Sequence, residues 1–68
     1  GLRAGIPDLF LAVPRYPLSG LFLEMKVKPN KLSIEQEKIV EYLINANYGV
    51  RLCYSADEAI CAIKDYLT

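Results

Sequence analysis

The stretch that decides the fold of this chain is Leu21-Phe22-Leu23-Glu24-Met25-Lys26-Val27. Its side chains alternate between two kinds, which predicts a β-strand, because successive side chains of a strand point to opposite faces of the sheet. Glu24 and Lys26 then share one face of an otherwise apolar strand. A carboxylate and an ammonium are costly to bury unless another group uses or neutralises them. The stretch therefore predicts a core strand that carries a chemical site.

A partner strand is expected just before it. Residues 8–13, Asp-Leu-Phe-Leu-Ala-Val, are apolar after the first position. Residues 14–20 contain two prolines, a serine and a glycine, which is typical of a turn. A connection this short favours an antiparallel hairpin.

The register of this hairpin decides which residues face the charged pair. Pairing of Val13 with Leu21 would place Asp8 opposite Lys26. Asp8 would then lie diagonal to Glu24, at about 7–8 Å between Cα atoms. Two carboxylates at that distance can converge on one divalent cation.

The remaining sequence begins with a helix and a third strand. Ser33 and Gln36 match the ends of a capping box, in which each side chain bonds the other residue's backbone N–H. A helix is therefore expected from there to about Ala46, and Asn47 is suited to the left-handed backbone that ends a helix. Residues 50–54 are expected to form the third strand.

A second capping box, from Ser55 to Glu58, is predicted to open the last helix. Apolar residues at helical spacing form one stripe along this helix, and they are Ala56, Ala59, Ile60, Ile63 and Leu67. The resulting order is β-β-α-β-α, an α/β fold with a mixed sheet flanked by helices. Residues 1–68 are expected to form a single domain.

Size and composition describe a folded domain with a small core. The chain has 68 residues, of which 53% are hydrophobic and 24% are charged, which excludes a disordered protein. A chain of this length buries only about 60% of its unfolded surface. Because the sequence begins at Gly1 rather than Met, we expect an N-terminally incomplete domain or a partner subunit that completes the core.

The residue types exclude several classes of protein. Histidine is absent, which excludes Ser-His-Asp and Cys-His hydrolases and histidine zinc sites. Eight basic and eight acidic residues give no net charge, unlike a purely electrostatic nucleic-acid binder. Cys53 and Cys61 lie in apolar stretches, which is typical of buried, reduced thiols. No apolar run is long enough to cross a bilayer, so a cytoplasmic or otherwise intracellular protein is expected.

The charged residues of the hairpin suit phosphodiester hydrolysis without histidine. Asp8 and Glu24 would hold Mg²⁺ or Mn²⁺, which activates water and stabilises charge on the scissile phosphate. Lys26 would orient that water or neutralise the transition state. The alternative is a solvent-facing stripe on an antiparallel sheet, but Phe22 on the same face argues against full exposure.

Three motifs, in order along the chain, carry a resemblance to a known family. Gly5-Ile6-Pro7-Asp8 is followed after fifteen residues by Glu24-Met25-Lys26, and then by Leu32-Ser33-x-x-Gln36. This set resembles the PD-(D/E)xK nuclease superfamily and, within it, the VRR-NUC (virus-type replication-repair nuclease) family. The resemblance covers essentially the whole chain.

The resemblance implies a role for each matching residue. Asp8 and Glu24 would be metal ligands, joined by the main-chain carbonyl of Met25. Lys26 would be the catalytic lysine, and Gln36 would line the site, a role compatible with capping its helix. The family fold, a PD-(D/E)xK core, begins with a helix that often carries another acidic residue, followed by a strand. Neither element is evident in these residues.

The resemblance also implies a metal-dependent DNA endonuclease that cuts branched DNA, such as four-way junctions or flaps, in a phage, bacterial or DNA-repair setting. Similarity to stand-alone phage members implies a homodimer. Arg3, Lys28 and Lys31 flank the hairpin and are candidate phosphate contacts, although ordinary surface charge explains them equally well. A non-catalytic DNA- or protein-binding module with the same fold is the alternative. A restriction-type enzyme ranks lower, because no element for base recognition is evident.

Overall fold

The stretch that contains Glu24 lies at the centre of a three-stranded sheet, in a computed structural model that describes residues 6–68. The elements are β1 (Leu9–Leu11), β2 (Leu21–Met25), α1 (Ile34–Asn45), β3 (Gly49–Cys53) and α2 (Ala56–Leu67). The predicted order β-β-α-β-α and the α/β class are confirmed. Neither helix of the described residues is long and apolar enough to cross a membrane.

The sheet is mixed, as predicted, with β2 in the middle. β1 pairs with β2 antiparallel, and β3 pairs with β2 parallel. Parallel neighbours cannot be joined by a tight turn, and α1 is the crossover that returns the chain from the end of β2 to the start of β3. Because β2 has a neighbour on each side, it is the most buried of the three strands.

The hairpin register differs from the prediction by two residues. The observed pairs are Leu9 with Leu23, Phe10 with Phe22 and Leu11 with Leu21. Continued by one step, this register sets Asp8 level with Glu24 rather than with Lys26. The pairing of Val13 with Leu21 was an assumption that could slip by two residues, and the observed register is shifted by two.

The connection between β1 and β2 explains the difference. Arg15 and Leu18 exchange backbone hydrogen bonds of 2.9 and 2.7 Å, which closes a small turn at the tip. Ser19 donates its N–H to the carbonyl of Asn47 at 2.7 Å, so it is tied to the segment before β3 rather than to β1. Because the N–H of Ser19 is bonded to Asn47, it does not take part in the pairing of β1 with β2, which begins only at Leu11.

The core lies between one face of the sheet and α2. Its buried residues are Leu21, Leu23, Cys53, Ala59 and Ala62. The hydroxyl of Tyr66 donates a 2.6 Å hydrogen bond to the carbonyl of Val13. This bond fixes the orientation of α2 about its own axis. That rotation leaves Ile60 50% exposed and Leu67 39% exposed. The apolar stripe of α2 is therefore divided, because Ala59 is buried and Ile63 packs against the core while Ile60 and Leu67 are partly exposed.

The first helix, α1, lies on the opposite face of the sheet. The predicted capping box is confirmed, with Ser33 Oγ accepting from the Gln36 N–H at 3.1 Å and Gln36 Oε1 accepting from the Ser33 N–H at 2.9 Å. Asn47 follows the helix with a φ of 70°, the left-handed conformation that asparagine tolerates. The helix therefore begins and ends close to the predicted positions.

The second capping box is only half formed. Ser55 Oγ accepts from the N–H of Glu58 at 3.1 Å, as predicted. The Glu58 carboxylate, however, accepts from the N–H of Tyr54 at 3.0 Å rather than from that of Ser55. The predicted reciprocal bond was wrong, because the carboxylate reaches one residue further back along the extended backbone that precedes α2.

The two cysteines lie in different surroundings. Cys53 is 2% exposed, and burial raises the pKa of its thiol. Cys61 is exposed, so the prediction that both thiols are buried was wrong for this residue. The reason is again the rotation of α2, which turns Ala62 to the sheet and its neighbour toward solvent.

Three aromatic rings pack together on the sheet. The rings of Phe10 and Phe22 are stacked with their centroids 4.4 Å apart, and Tyr48 meets both edge-on at 6.0 and 5.4 Å. The end of the Phe10 ring lies directly over Gly20, where a side chain would occupy its space. The stack therefore requires glycine at this position.

Replacing Gly20 with alanine should destabilise the domain by about 1–3 kcal/mol, the usual cost of overpacking. The added methyl would lie 2.6 Å from Cε1 of Phe10 and 3.1 Å from the carbonyl oxygen of Leu11, so the ring must leave its stack. Gly49→Ala is the matched control, because its two nearest contacts are longer, to leucine methyls at 3.1 and 3.2 Å. Chemical denaturation measures both variants, and equal losses would contradict this account.

Candidate active site

The site begins with a carboxylate buried in the sheet. Glu24 is 5% exposed and lies near the end of β2. The alternation that buries Leu23 against α2 turns the next side chain to the opposite face, toward α1. Among residues 6–68, no buried side-chain oxygen or nitrogen lacks a hydrogen-bond partner. The buried carboxylate is therefore held by specific contacts.

Asp8 meets Glu24 from the neighbouring strand. It stands one residue before β1, level with Glu24 in the observed register. Its Oδ2 accepts a 2.9 Å hydrogen bond from the backbone N–H of Met25, which holds the carboxylate against the end of β2. The two predicted metal ligands are thus brought together directly opposite each other rather than diagonally, a closer arrangement than the sequence predicted.

The close approach of the two carboxylates changes the protonation of Glu24. Burial raises its pKa most, and the negative charge of Asp8 and a hydrogen bond shared with that carboxyl raise it further. The positive charge of Lys26 acts in the opposite direction and lowers it. Since the net effect is an increase, the protein leaves negative charge at this point incompletely neutralised. A divalent cation between two such carboxylates would offset this charge.

Gln36 serves the helix and the site at once. Its Oε1 accepts from the Ser33 N–H at 2.9 Å, and its Nε2 donates to Oε2 of Glu24 at 3.2 Å. Because both ends of the side-chain amide are engaged, its orientation is determined. The capping role and the contact with the site, which the sequence shows to be compatible, are both present.

The peptide between Met25 and Lys26 directs the Met25 carbonyl toward the side of β2 where Asp8 lies. Its N–H donates to the carbonyl of Cys53 on β3 at 2.9 Å. A trans peptide is planar with its C=O and N–H on opposite sides. The Met25 carbonyl therefore points away from β3, to the side where Asp8 lies. Lys26 itself is half-buried just beyond β2, and its charge reaches Glu24.

The oxygen donors at this point are the carboxylates of Asp8 and Glu24 and the carbonyl of Met25. Within residues 6–68, no group of three or more His, Cys, Asp or Glu side chains could hold a metal ion. A Mg²⁺ site commonly takes one or two protein carboxylates and leaves its other positions to water and substrate phosphates. The donor set therefore fits a hard divalent cation better than zinc, which prefers nitrogen and sulfur ligands.

The candidate phosphate contacts lie apart from the carboxylates. Lys28 and Lys31 are exposed in the loop that follows β2. The Nζ of Lys28 lies 5.6 Å from the centroid of the Tyr54 ring, a cation–π distance. Arg3 lies outside the described residues.

A cleft of about 210 Å³ adjoins the carboxylates on the α1 side of the sheet. Its lining residues are Ile6, Pro7, Phe22, Ile39, Tyr42 and Leu43. The sequence motifs do not indicate this cleft. The available signal was the helical spacing of residues 39, 42 and 43, which marks one face of α1. The path of the crossover decides which strand residue packs against this face of α1. The helical periodicity of the sequence does not predict that path.

Comparisons with known proteins agree with this geometry. A model of the VRR-NUC domain family matches residues 1–57. Among solved structures, the chain is similar to a VRR-NUC domain protein at 28% identity and a TM-score of 0.89, over 98% of this chain and 56% of that one. The chain thus spans just over half the length of that structure. No curated protein matches the sequence significantly.

Without divalent cations, Glu24 should contribute more stability as the pH falls through its raised pKa. Folding raises the pKa of Glu24 above its ordinary value of 4.5. Between these two pKa values the folded state binds more protons than the unfolded state, so stability decreases as the pH rises through this range. Removing the charge of Glu24 should therefore remove this part of the pH dependence.

Thermal unfolding of Glu24→Gln in EDTA measures the effect. We expect this variant to have a higher Tm than the unchanged protein at a pH above the raised pKa of Glu24, and a smaller change of Tm with pH. Glu41→Gln, at an exposed position on α1, is the control and should leave the slope of Tm against pH unchanged. A slope in Glu24→Gln as steep as that of the unchanged protein would show that this carboxylate is not the group responsible.

Proposed function

Because the chain belongs to the VRR-NUC domain family, whose members are nuclease-type domains acting on DNA, we propose that it hydrolyses DNA phosphodiester bonds with Mg²⁺ or Mn²⁺. The observation that carries the proposal is the buried Glu24 carboxylate, set level with Asp8 and with a raised pKa. Functional sites are where such perturbed groups concentrate. The same pair is costly for stability unless a cation occupies the position between the two carboxylates.

Asp8, Glu24 and the carbonyl of Met25 are the groups that would hold the cation. When bound, the cation would supply Lewis-acid activation of a water molecule and of the phosphate. The hydrogen bond from the Met25 N–H keeps the Asp8 carboxylate in place before any ligand arrives. The protein therefore holds these donors in a preformed arrangement.

Lys26 is the positive group of the site. It is half-buried, and its charge already lowers the pKa of Glu24. An ammonium so placed donates hydrogen bonds to a phosphate oxygen or to the attacking water, and it offsets the negative charge that develops during displacement. Partial burial strengthens this effect, because the surroundings screen the charge less than bulk water does.

Gln36 orients Glu24 from the side of α1. Its Nε2 donates to Oε2 of Glu24, which leaves the other carboxylate oxygen for the cation. Groups that hold a metal ligand in this way commonly contribute about 10–100-fold to metal affinity or activity. Gln36 is therefore proposed as a positioning residue for Glu24.

Branched or flap DNA as the substrate and a homodimer as the working form are the finer parts of the proposal. Both come from the family resemblance. Support for a second copy comes from the apolar surface that the rotation of α2 leaves exposed at Ile60 and Leu67, and at Leu9 on β1, which is 52% exposed. A chain with no net charge would also gain DNA affinity by joining two copies.

A non-catalytic DNA- or protein-binding module with this fold is the second candidate. The observation that favours it is the small number of acidic side chains at the site: within residues 6–68, no group of three His, Cys, Asp or Glu residues forms. A module of this kind would bind DNA or a partner without metal-dependent cleavage. The same experiment separates the two candidates.

Changing Lys26 to alanine should lower the cleavage rate by about 100-fold or more, because one preorganised charge-stabilising donor is lost. Affinity for DNA should change only slightly, since a single ammonium among several basic residues is removed. The cleavage rate is measured on labelled four-way junctions, flaps and duplexes in Mn²⁺. The affinity for DNA is measured by fluorescence anisotropy. Lys64→Ala, at an exposed position on α2, is the matched control.

The unchanged protein decides between the two candidates. If it stays folded and leaves junctions, flaps and duplexes intact in both Mg²⁺ and Mn²⁺, the nuclease proposal fails. DNA binding without cleavage would then favour the second candidate. Cleavage by the unchanged protein that Lys26→Ala fully retains would contradict the role assigned to this lysine.

Two changes at Gln36 should separate its two roles. In Gln36→Glu a side-chain oxygen can still accept from the Ser33 N–H, so stability should change little, but the donor to Glu24 is lost and a negative charge is added beside it. Cleavage and metal affinity should fall about 10–100-fold. Gln36→Ala should in addition lose the hydrogen bond to the Ser33 N–H and about 1 kcal/mol of stability, while Ser33 Oγ still accepts from the backbone N–H of residue 36. Full cleavage by a folded Gln36→Glu would contradict the positioning role.

A further inference from the structure

The apolar cleft is continuous with the candidate active site on three elements. Pro7, in the cleft, precedes Asp8. Phe22 lies two residues before Glu24 on the same face of β2. On α1, residue 39 lies one helical turn beyond Gln36, which bonds to Glu24. Every element that brings a side chain to the site therefore also contributes a wall of the cleft.

Three zones follow one another along β2 and the loop after it. Residues 25–34 contain three lysines, at positions 26, 28 and 31, and no acidic residue. The carboxylates follow at Glu24, and the cleft follows at Phe22. Two residues along a strand span about 6.6 Å, and stacked nucleotides rise about 3.4 Å per step. A phosphate at the carboxylates therefore places an adjacent nucleotide within reach of the cleft.

The chemistry of the cleft suits a flat, apolar ring. Phe22 and the phenol of Tyr42 contribute aromatic surface, and Ile39 and Leu43 contribute aliphatic surface. Tyr42 is 69% exposed and Ile6 is 46% exposed, so the opening is accessible from solvent. The volume of about 210 Å³ is below the range of about 300–1,000 Å³ usual for larger ligands. One ring system fits this space better than a segment of folded protein does.

From this continuity and this order of charges we infer that the cleft takes one unpaired nucleobase of the DNA strand whose phosphate lies at the carboxylates. The lysines of residues 25–34 attract the backbone on one side of the site, and the cleft receives the base on the other. A base that is paired and stacked in a duplex cannot enter, so the cleft favours DNA with an unpaired nucleotide beside the scissile bond. The inference rests on the proposed function, because it places the phosphate at the site.

The test compares binding of three labelled duplexes by fluorescence anisotropy in Ca²⁺. One carries a short single-stranded thymidine flap, the second carries the same flap built from abasic nucleotides, and the third is blunt. We expect the unchanged protein to bind the thymidine flap about tenfold more tightly than the abasic flap, within the range that stacking of one base on an aromatic side chain provides. Affinity for the blunt duplex should match that for the abasic flap within about threefold.

Variants at Tyr42 test whether the cleft binds the unpaired base. Tyr42→Ala should lose the preference for the thymidine flap and keep its affinity for the blunt duplex, whereas Tyr42→Phe should retain the preference because its ring still stacks. Ile44→Ala is the matched control: this residue is also apolar, exposed and on α1, but it does not line the cleft. Since Tyr42 and Ile44 are both largely exposed, neither change should prevent folding, and circular dichroism verifies this.

Several outcomes would overturn the inference. One is an unchanged protein that binds thymidine and abasic flaps equally. Another is a folded Tyr42→Ala that keeps the full preference. A third is a Tyr42→Ala that loses affinity for all three DNAs while sedimenting as a smaller species, which would identify the cleft as a protein-docking surface. Cleavage in Mg²⁺ and Mn²⁺ is measured separately. If the protein prefers the thymidine flap but never cleaves DNA, the proposed function is contradicted and the inference about the cleft is supported.

Discussion

Burial of Glu24 beside Asp8 constrains the rest of the structure, because a carboxylate with 5% exposure needs donors that water no longer provides. The amide of Gln36 on α1 donates a hydrogen bond to it, and Lys26 beyond the end of β2 supplies positive charge. Asp8, which precedes β1 and is held by the Met25 N–H, adds a second negative charge beside it. The hairpin, the crossover and the start of the helix must all be in place before this arrangement exists. The fold is therefore the means by which two negative charges are kept close together.

Gln36 shows how a local signal and a distant contact can share one side chain. Its oxygen satisfies the Ser33 N–H at the start of α1, and its nitrogen satisfies Glu24 on β2. The start of the helix is thereby positioned against the strand at the point where the carboxylate lies. Because one amide does both, the geometry of the site and the stability of the helix are physically coupled.

The positions of the charged residues explain how a chain with no net charge could bind DNA, its proposed substrate. Three of the eight basic residues lie in residues 25–34, which contain no acidic residue, while four of the eight acidic residues lie in the first turns of the two helices, where the helix dipole favours them. Along β2 and the loop after it, the chain therefore offers a polyanion an apolar cleft, a pair of carboxylates and a basic loop, in that order. Net charge alone describes none of this.

Local interactions in the sequence determined much of the molecule, and long-range contacts decided the rest. The alternation in residues 21–27, the capping box at Ser33 and the left-handed residue after α1 depend on neighbours at most four positions apart, so the sequence alone predicted them, and the spacing of its motifs indicated Asp8, Glu24 and Lys26 as the site. The hairpin register, the rotation of α2 and the cleft were settled only in the tertiary structure. Ser19 bonds a residue 28 positions away, and Tyr66 bonds Val13 across 53 positions. No local pattern encodes such partners, and they are what set Asp8 directly opposite Glu24.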